Sequence, residues 1–373
     1  MAYGSINADV IGTSVQGYSL GAGNSSLLKN KIINGAMVID QRNAGASVSL
    51  VTAGGTGYPT DRWYAENSTS GTATVQQVSD APSGFAFSTK WTVTGVASSL
   101  TSTDSAFFQQ RIEGFNSADL MYGTATALTT TVSFWVKSSV TGTFGGAFAN
   151  SAYNRAYSFT YTISSANTWE QKSITVIGDT TGTWIGATNG IGLRVSLALA
   201  AGSARGSTAG SWGAFTGLGA TGGTNLMATN GATWQYTGVQ LEVGSSATGF
   251  EYRQYGQELA LCQRYLPAIN STNSGQNYLS AYCQSANTFY VTVPFKVSTR
   301  VAPTGVTAVG TASSFAVAFN GSGQGCTTAP TFISGGTESA ATQWVVTSAS
   351  VGMPGIAYQN ATGLQLLFTG CEL

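Results

Sequence analysis

FEYRQYGQELALCQRYL, Phe250 to Leu266, is the one stretch of this chain that reads as a helix, and it decides the architecture because long β-patterned regions lie on either side of it. Tyr255, Leu259, Cys262 and Leu266 recur at spacings of 4, 3 and 4 residues, an a/d seam, with Arg253, Glu258 and Arg264 around it. So short a helix is marginal alone in water. It must lean on neighbouring sheets or on copies of itself about a symmetry axis, where Glu251 and Glu258 would pair with Arg253 and Arg264. Tyr255, Leu259, Cys262, Leu266, Arg253, Glu258 and Arg264 are therefore the candidate oligomer-interface residues. The alternative is a helix that caps the end of one chain's sandwich.

Outward from the helix, the pattern switches to period two. Between Ile32 and Tyr252 short alternating runs follow one another, among them Met37–Ile39, Trp63–Ala65, Phe107–Ile112, Thr131–Lys137, Tyr157–Ile163, Ile191–Leu197 and Thr233–Val243, separated by turn chemistry such as Asn189-Gly190 and Asn230-Gly231. That is the signature of an antiparallel sandwich or jelly roll. The glycine-rich stretch from Ala200 to Thr233, with Trp212 and Phe215, alternates little and reads as a long loop. After the helix, Thr288–Phe295, Gly305–Val309, Gln343–Ser348 and Gln365–Thr369 are among the runs that give a second β-domain. The expected fold is all-β: an N-terminal arm over residues 1–30, a jelly-roll domain over 31–252, a helical neck over 253–267 and a C-terminal β-sandwich over 268–373.

Composition limits what such a chain does. Of its 373 residues only 8% are charged, 15 basic against 15 acidic, where about 25% is usual. A neutral surface draws in neither nucleic acid nor anionic lipid. With 42% apolar and 11% aromatic residues the chain is nonetheless a folder. No basic n-region and apolar h-region opens it, and no run approaches the roughly 18 apolar residues of a membrane span. Cys262, Cys283, Cys326 and Cys371 lack CxxC spacing and there is no histidine, so zinc is unsupported and buried thiols are the expectation.

Several motifs carry a resemblance. KIINGAMVIDQRNAG (Lys31 to Gly45), TDRWY (Thr60 to Tyr64), QQRIEG (Gln109 to Gly114), TVSFWVKS (Thr131 to Ser138), NTWEQKSITV (Asn167 to Val176), the run from Thr237 to Leu266 and the closing LLFTGCEL occur in an order that resembles bacteriophage tail-fibre and minor tail proteins. The region from Ile32 to Glu242 is similar to jelly-roll carbohydrate-binding modules with a galactose-binding-like sandwich. The resemblance implies a virion protein, made in a host cytoplasm without a signal peptide, that assembles as a homotrimer, meets other virion proteins through its N-terminal arm and binds host-surface glycan. It also admits a structural calcium, for which Asp40 and Glu242 are the nearest carboxylates, although the opening acidic pair is absent and no metal or other cofactor is assigned.

Sugar binding needs flat rings for the apolar face of a pyranose and amide, carboxylate or guanidinium groups for its hydroxyls. In TVSFWVK, Val132, Phe134 and Val136 point one way and Ser133, Trp135 and Lys137 the other. Trp135 and Lys137, joined by Gln109 and Arg111 from a neighbouring strand, are the candidate ligand-binding group, with Trp212 in the glycine-rich loop. The alternative for this face is burial against an inserted loop or a sister subunit. Asp61 and Arg62 read as an exposed pair at a turn. Without histidine, and with no acidic pair singled out by spacing, the chain is expected to be no enzyme. The rival roles are a head-fibre or decoration protein without a ligand and, less favoured, a polysaccharide depolymerase.

Overall fold

The computed structural model describes residues 29–51, 54–215 and 217–373. The expected N-terminal arm therefore lies outside the described residues but for its last two. The chain divides into two compact units between Gln254 and Tyr255.

The first unit runs through β1 (Val48–Leu50), β2 (Gly55–Thr60), β3 (Trp63–Asn67), β4 (Thr72–Val78), β5 (Ser88–Gly95), β6 (Ser105–Glu113), β7 (Thr130–Ser138), β8 (Gly142–Ala149), β9 (Ala156–Ile163), β10 (Glu170–Val176) and β11 (Ile191–Ala201). Three two-residue strands follow, β12 (Gly206–Ser207), β13 (Trp212–Gly213) and β14 (Gly219–Ala220), and then β15 (Thr233–Val243). One sheet takes the spatial order β1-β4-β5-β15-β7-β10 and the other β13-β9-β8-β11-β6-β3-β2. Their facing sides share one core, as a jelly-roll sandwich requires. The alternation dictates which side chains enter it: Val132, Phe134 and Val136 are fully buried, as are Trp63, Trp91, Trp234 and Tyr236. Phe108 sits at the centre, its ring 4.8 Å from Tyr236, 5.5 Å from Trp91 and 5.9 Å from Trp234.

Three sequence expectations change here. Met37–Ile39 is not a strand, because Asn34 bonds Ile39 through both ends of its amide, at 2.8 and 3.0 Å, and folds the segment into a turn. Asp61 and Arg62 are buried, not exposed. Asp61 accepts from the Gln41 backbone at 3.0 Å and its side chain at 2.6 Å. Arg62, held at φ 71°, donates through Nη2 to the Arg111 carbonyl at 2.6 Å. The stretch after Ala200 is no free loop: it folds back over the outer face of the seven-stranded sheet and ties down through β12 and β14.

In the second unit, β16 (Ala268–Asn270), β17 (Gln276–Ser285), β18 (Thr288–Pro294), β19 (Gly305–Val309), β20 (Phe315–Phe319), β21 (Ser322–Gly325), β22 (Thr331–Gly335), β23 (Ser339–Val345), β24 (Pro354–Gln359) and β25 (Gln365–Thr369) form a three-stranded sheet, β16-β25-β19, over a seven-stranded one, β21-β20-β24-β17-β18-β23-β22. Phe289, Phe315, Trp344 and Phe368 fill the space between. The other side of the larger sheet carries exposed Tyr278, Tyr282 and Ile356. Cys262, Cys283, Cys326 and Cys371 are all reduced and buried.

The helix spans Tyr255–Gln263 and belongs to the second unit, so it is no separate neck. Its apolar edge does not form the expected seam. Cys262 and Leu266 are fully buried within the single chain, Leu266 against Ala268 and Leu367, and are not available to a sister helix. Leu259 is half-buried and Glu258 buried, while Tyr255 remains 64% exposed. Arg264 donates to the Ser298 carbonyl at 3.5 Å. In the first unit, Arg253 donates to the Ile32 carbonyl at 2.9 Å and lies 3.7 Å from Glu251, pinning the start of the described chain instead of reaching across an axis. We expect Phe108→Ala to cost the first unit about 3–5 kcal/mol, read from the midpoint of its urea unfolding transition.

Candidate functional site

The outer face of the seven-stranded sheet is divided in two by residue size. Across its centre the register aligns Ala198 with Gly145, Ser196 with Ala147 and Arg194 with Ala149, and β9 continues these rows with Ser158 and Ala156. Small side chains there let the backbone of the 202–224 segment lie almost directly on the sheet. A Cβ on Gly145 would stand 2.5 Å from the Ala220 nitrogen, and one on Gly219 2.8 Å from the Ala198 Cβ. The Ser158 hydroxyl secures this flap by donating to the Gly219 carbonyl at 2.7 Å.

The uncovered part of the same face carries large polar and aromatic groups. Period two along β3 and β6 sends Trp63, Ala65, Phe108 and Ile112 inward and Tyr64, Glu66, Phe107, Gln109 and Arg111 outward. Of these, Glu66, Phe107 and Arg111 join Tyr153 from the β8–β9 turn, Arg194 from β11, and Arg205 and Leu218 from the flap around a cleft of about 260 Å³, with Gln109 buried beneath it and Tyr64 stacked behind Arg111. Gln109 is its hub. Its Oε1 accepts from Arg111 Nε at 3.1 Å and Arg194 Nη1 at 3.2 Å, its Nε2 donates to Ser196 Oγ at 2.8 Å, and the Tyr153 hydroxyl lies 2.8 Å from Nε2. Arg111 stacks over Tyr64 at 4.4 Å and Arg194 over Tyr153 at 4.1 Å. The Tyr64 hydroxyl donates to Glu66 Oε2 at 2.7 Å. Burial, reinforced by that bond, pushes the Tyr64 phenol well above its ordinary value, so it stays protonated. Burial also holds the Arg194 guanidinium below its usual value, with the charge of Arg111 adding to the effect.

Arg111 thus lines the cleft with Gln109 buried beneath it, but Trp135 and Lys137 are not with them. β6 and β7 belong to different sheets, so the two pairs point out of opposite sides of the sandwich. Trp135 is half-buried at the β15 bulge, where a Cβ on Gly238 would come within 3.1 Å of its ring and 2.6 Å of Phe85. Lys137 is bonded to Asp80 and lies 5.2 Å from the Trp169 ring centre. Trp212 is not displayed on a loop tip. Its strand pairs with β9, its Nε1 donates to the Ile177 carbonyl at 2.7 Å, and its ring packs 5.5–5.6 Å from Tyr122, Tyr157 and Trp184.

Sequence reasoning missed Tyr64, Glu66, Tyr153, Arg194 and Arg205. The first two stand at the outward positions of an otherwise apolar strand, a signal that period two provides. The others become neighbours only through the fold. Asp40 and Glu242 sit in separate networks, Asp40 accepting from the Asn43 and Gly45 amides at 3.0 and 2.8 Å, Glu242 from the Thr248 amide and hydroxyl at 2.8 and 2.7 Å. Among the described residues no cluster of His, Cys, Asp and Glu suited to a metal ion occurs.

No family model matches the chain, and no curated protein matches it. Solved structures do. The enzymatically active domain of bacteriophage CBA120 tailspike protein 4 is 13% identical with a TM-score of 0.32, the match covering 58% of this chain and 22% of that one. The family 11 carbohydrate-binding module from Clostridium thermocellum, in complex with a mixed-linked β-1,3-1,4 tetrasaccharide, is 11% identical with a TM-score of 0.28, covering 50% and 91%. The TmCBM61 module in complex with β-1,4-galactotriose is 11% identical with a TM-score of 0.26, covering 49% and 88%. At these TM-scores the likeness assigns no ligand to this chain, and the site rests on its own residues.

Two outcomes follow from these bonds. Gln109→Leu leaves the buried Arg194 and Ser196 without their shared partner and should cost about 1–3 kcal/mol in urea unfolding. At the sheet's far edge, Asp179 takes Arg155 at 2.6 and 2.8 Å and the Trp184 indole at 3.1 Å. Burial raises its pKa, but the Arg155 and Trp184 bonds outweigh this and hold it below the usual carboxylate range. A depressed folded-state pKa stabilises at neutral pH, and that contribution is lost as pH falls through it. Asp179→Asn should therefore lower the melting temperature at pH 7 and reduce its further decline in acid.

Proposed function

We propose that this chain is a non-catalytic adhesin of a phage virion, a tail-fibre protein that holds host-surface glycan in the cleft between Arg111 and Tyr153. One observation carries the reading. The flap covers only the small-residue half of the outer sheet face, leaving the rings of Phe107 and Tyr153 beside guanidinium and carboxylate groups in one concavity, with Tyr64 stacked behind Arg111 at its edge. That is the pairing of flat apolar surface with directed polar groups that sugar recognition requires. Placement on a virion, attachment through the N-terminal arm and assembly as a homotrimer rest on the resemblance of the motif order, since the helix buries most of its apolar edge at home. Several copies on one particle would gain avidity through effective concentration. Among the described residues no helix is long and apolar enough to cross a membrane.

The cleft reads against glycoside hydrolysis by paired carboxylates, which needs two acids flanking the bond. Glu66 is the one carboxylate in its lining, and it is engaged by Tyr64. A glycan array of bacterial surface polysaccharides tests the proposal. Tyr64→Ala and Tyr153→Ala should each weaken binding about tenfold or more, and Trp135→Ala should leave it unchanged. No new reducing ends should appear when the bound polysaccharide is incubated with the protein. Binding that survives both tyrosine truncations together, or release of reducing ends, overturns this reading.

A further inference from the structure

Charge is scarce on this chain and balanced over its length, yet the lining of the cleft gathers Arg111, Arg194 and Arg205 with Glu66 as its carboxylate, Arg111 being already bonded through Nη1 to the Leu373 oxygen. Arg194 is the unusual member. It is 8% exposed, and the acceptors it has are neutral: Gln109 Oε1 at 3.2 Å and the Ser151 carbonyl at 3.2 Å, with Nε finding none. Arg205 likewise donates to a carbonyl, that of Thr103, at 3.1 Å. A buried guanidinium keeps its charge at any ordinary pH, and buried charges are normally compensated by an opposite one. Other cations of this unit do have a carboxylate: Arg155 has Asp179, Arg253 has Glu251, and Lys29 has Glu242.

Accepting the cleft as the glycan site, we infer that its ligand supplies the missing anion: a sugar bearing an oxyanion, the carboxylate of an acidic sugar or a phosphate substituent, received by Arg194 with Arg111 and Arg205 around it. The stacking of Arg111 on Tyr64 and Arg194 on Tyr153 fixes both guanidinium planes before a ligand arrives. Such planes suit bidentate capture of either group. Gln109 spaces them from below by accepting from both. The neutral Ala, Gly and Ser half of the face under the flap makes no demand on charge, so selection falls on this corner of the sheet.

The experiment uses the full chain on an array in which each uronate-bearing bacterial polysaccharide is paired with its carboxyl-reduced form, and each phosphate-bearing one with its dephosphorylated form. Binding is expected to favour acidic members by about tenfold or more, to fall as salt is raised, and to distinguish the two sources by which chemical removal abolishes it. Arg194→Gln should lose that preference. Because this residue is buried, Arg205→Gln, at a half-exposed position, serves as the second variant and should weaken acidic members selectively. Equal binding of acidic and neutralised partners overturns the anion inference while leaving the glycan reading intact, and binding to no member overturns both.

Discussion

The approach of a glycine-rich backbone to within van der Waals distance of a sheet is the constraint on which the first unit's architecture turns. Where β8, β9 and β11 show only Gly145, Ala147, Ala156, Ser158 and Ala198, the flap can lie flat and cover them. Where β3 and β6 show Tyr64, Glu66, Gln109 and Arg111, it cannot. The boundary between small and large residues therefore sets the edge of the flap, and the edge of the flap makes one wall of the cleft through Arg205 and Leu218. The sheet face acquires depth from the flap laid upon it.

Within that boundary Gln109 does the organising. It is fully buried yet polar, and its amide serves as acceptor for two cations on one side and donor to two hydroxyls on the other. A carboxylate in its place would neutralise Arg111 and Arg194, and an apolar side chain would take from each the bond to Gln109 Oε1. The neutral amide holds them in position while preserving their charge. Arg62, buried at its left-handed turn, contributes by holding the carbonyl of Arg111.

Period two made much of this legible from the sequence. The strands through Trp63, Phe107, Val132, Tyr157, Ile191 and Trp234 are where alternation puts them, whereas Gln109 and Arg111, expected to join Trp135 and Lys137 on an open sheet face, stand on the other sheet, Arg111 lining the cleft and Gln109 buried beneath it. What alternation does not encode is which strands share a sheet. Adjacent in sequence, β6 and β7 part company, and Trp135 with Lys137 goes to the opposite side. β8 escaped notice because GTFGGAFA hides its apolar rhythm behind glycines that exist to admit Phe159 and the flap. The helix seam was visible, but spacing alone does not say whether an apolar edge meets its own chain or another, and here Cys262 and Leu266 are used internally.

The four reduced cysteines have a consequence for how the molecule meets an oxidant. Burial pushes the Cys326 thiol up to about 12 and the Cys371 thiol up to about 11, so neither carries appreciable thiolate at neutral pH. Thiolate is the form that attacks disulfides and reacts with oxidants. These two thiols are therefore slow to react, and since all four cysteines are free, the fold takes none of its stability from cross-links.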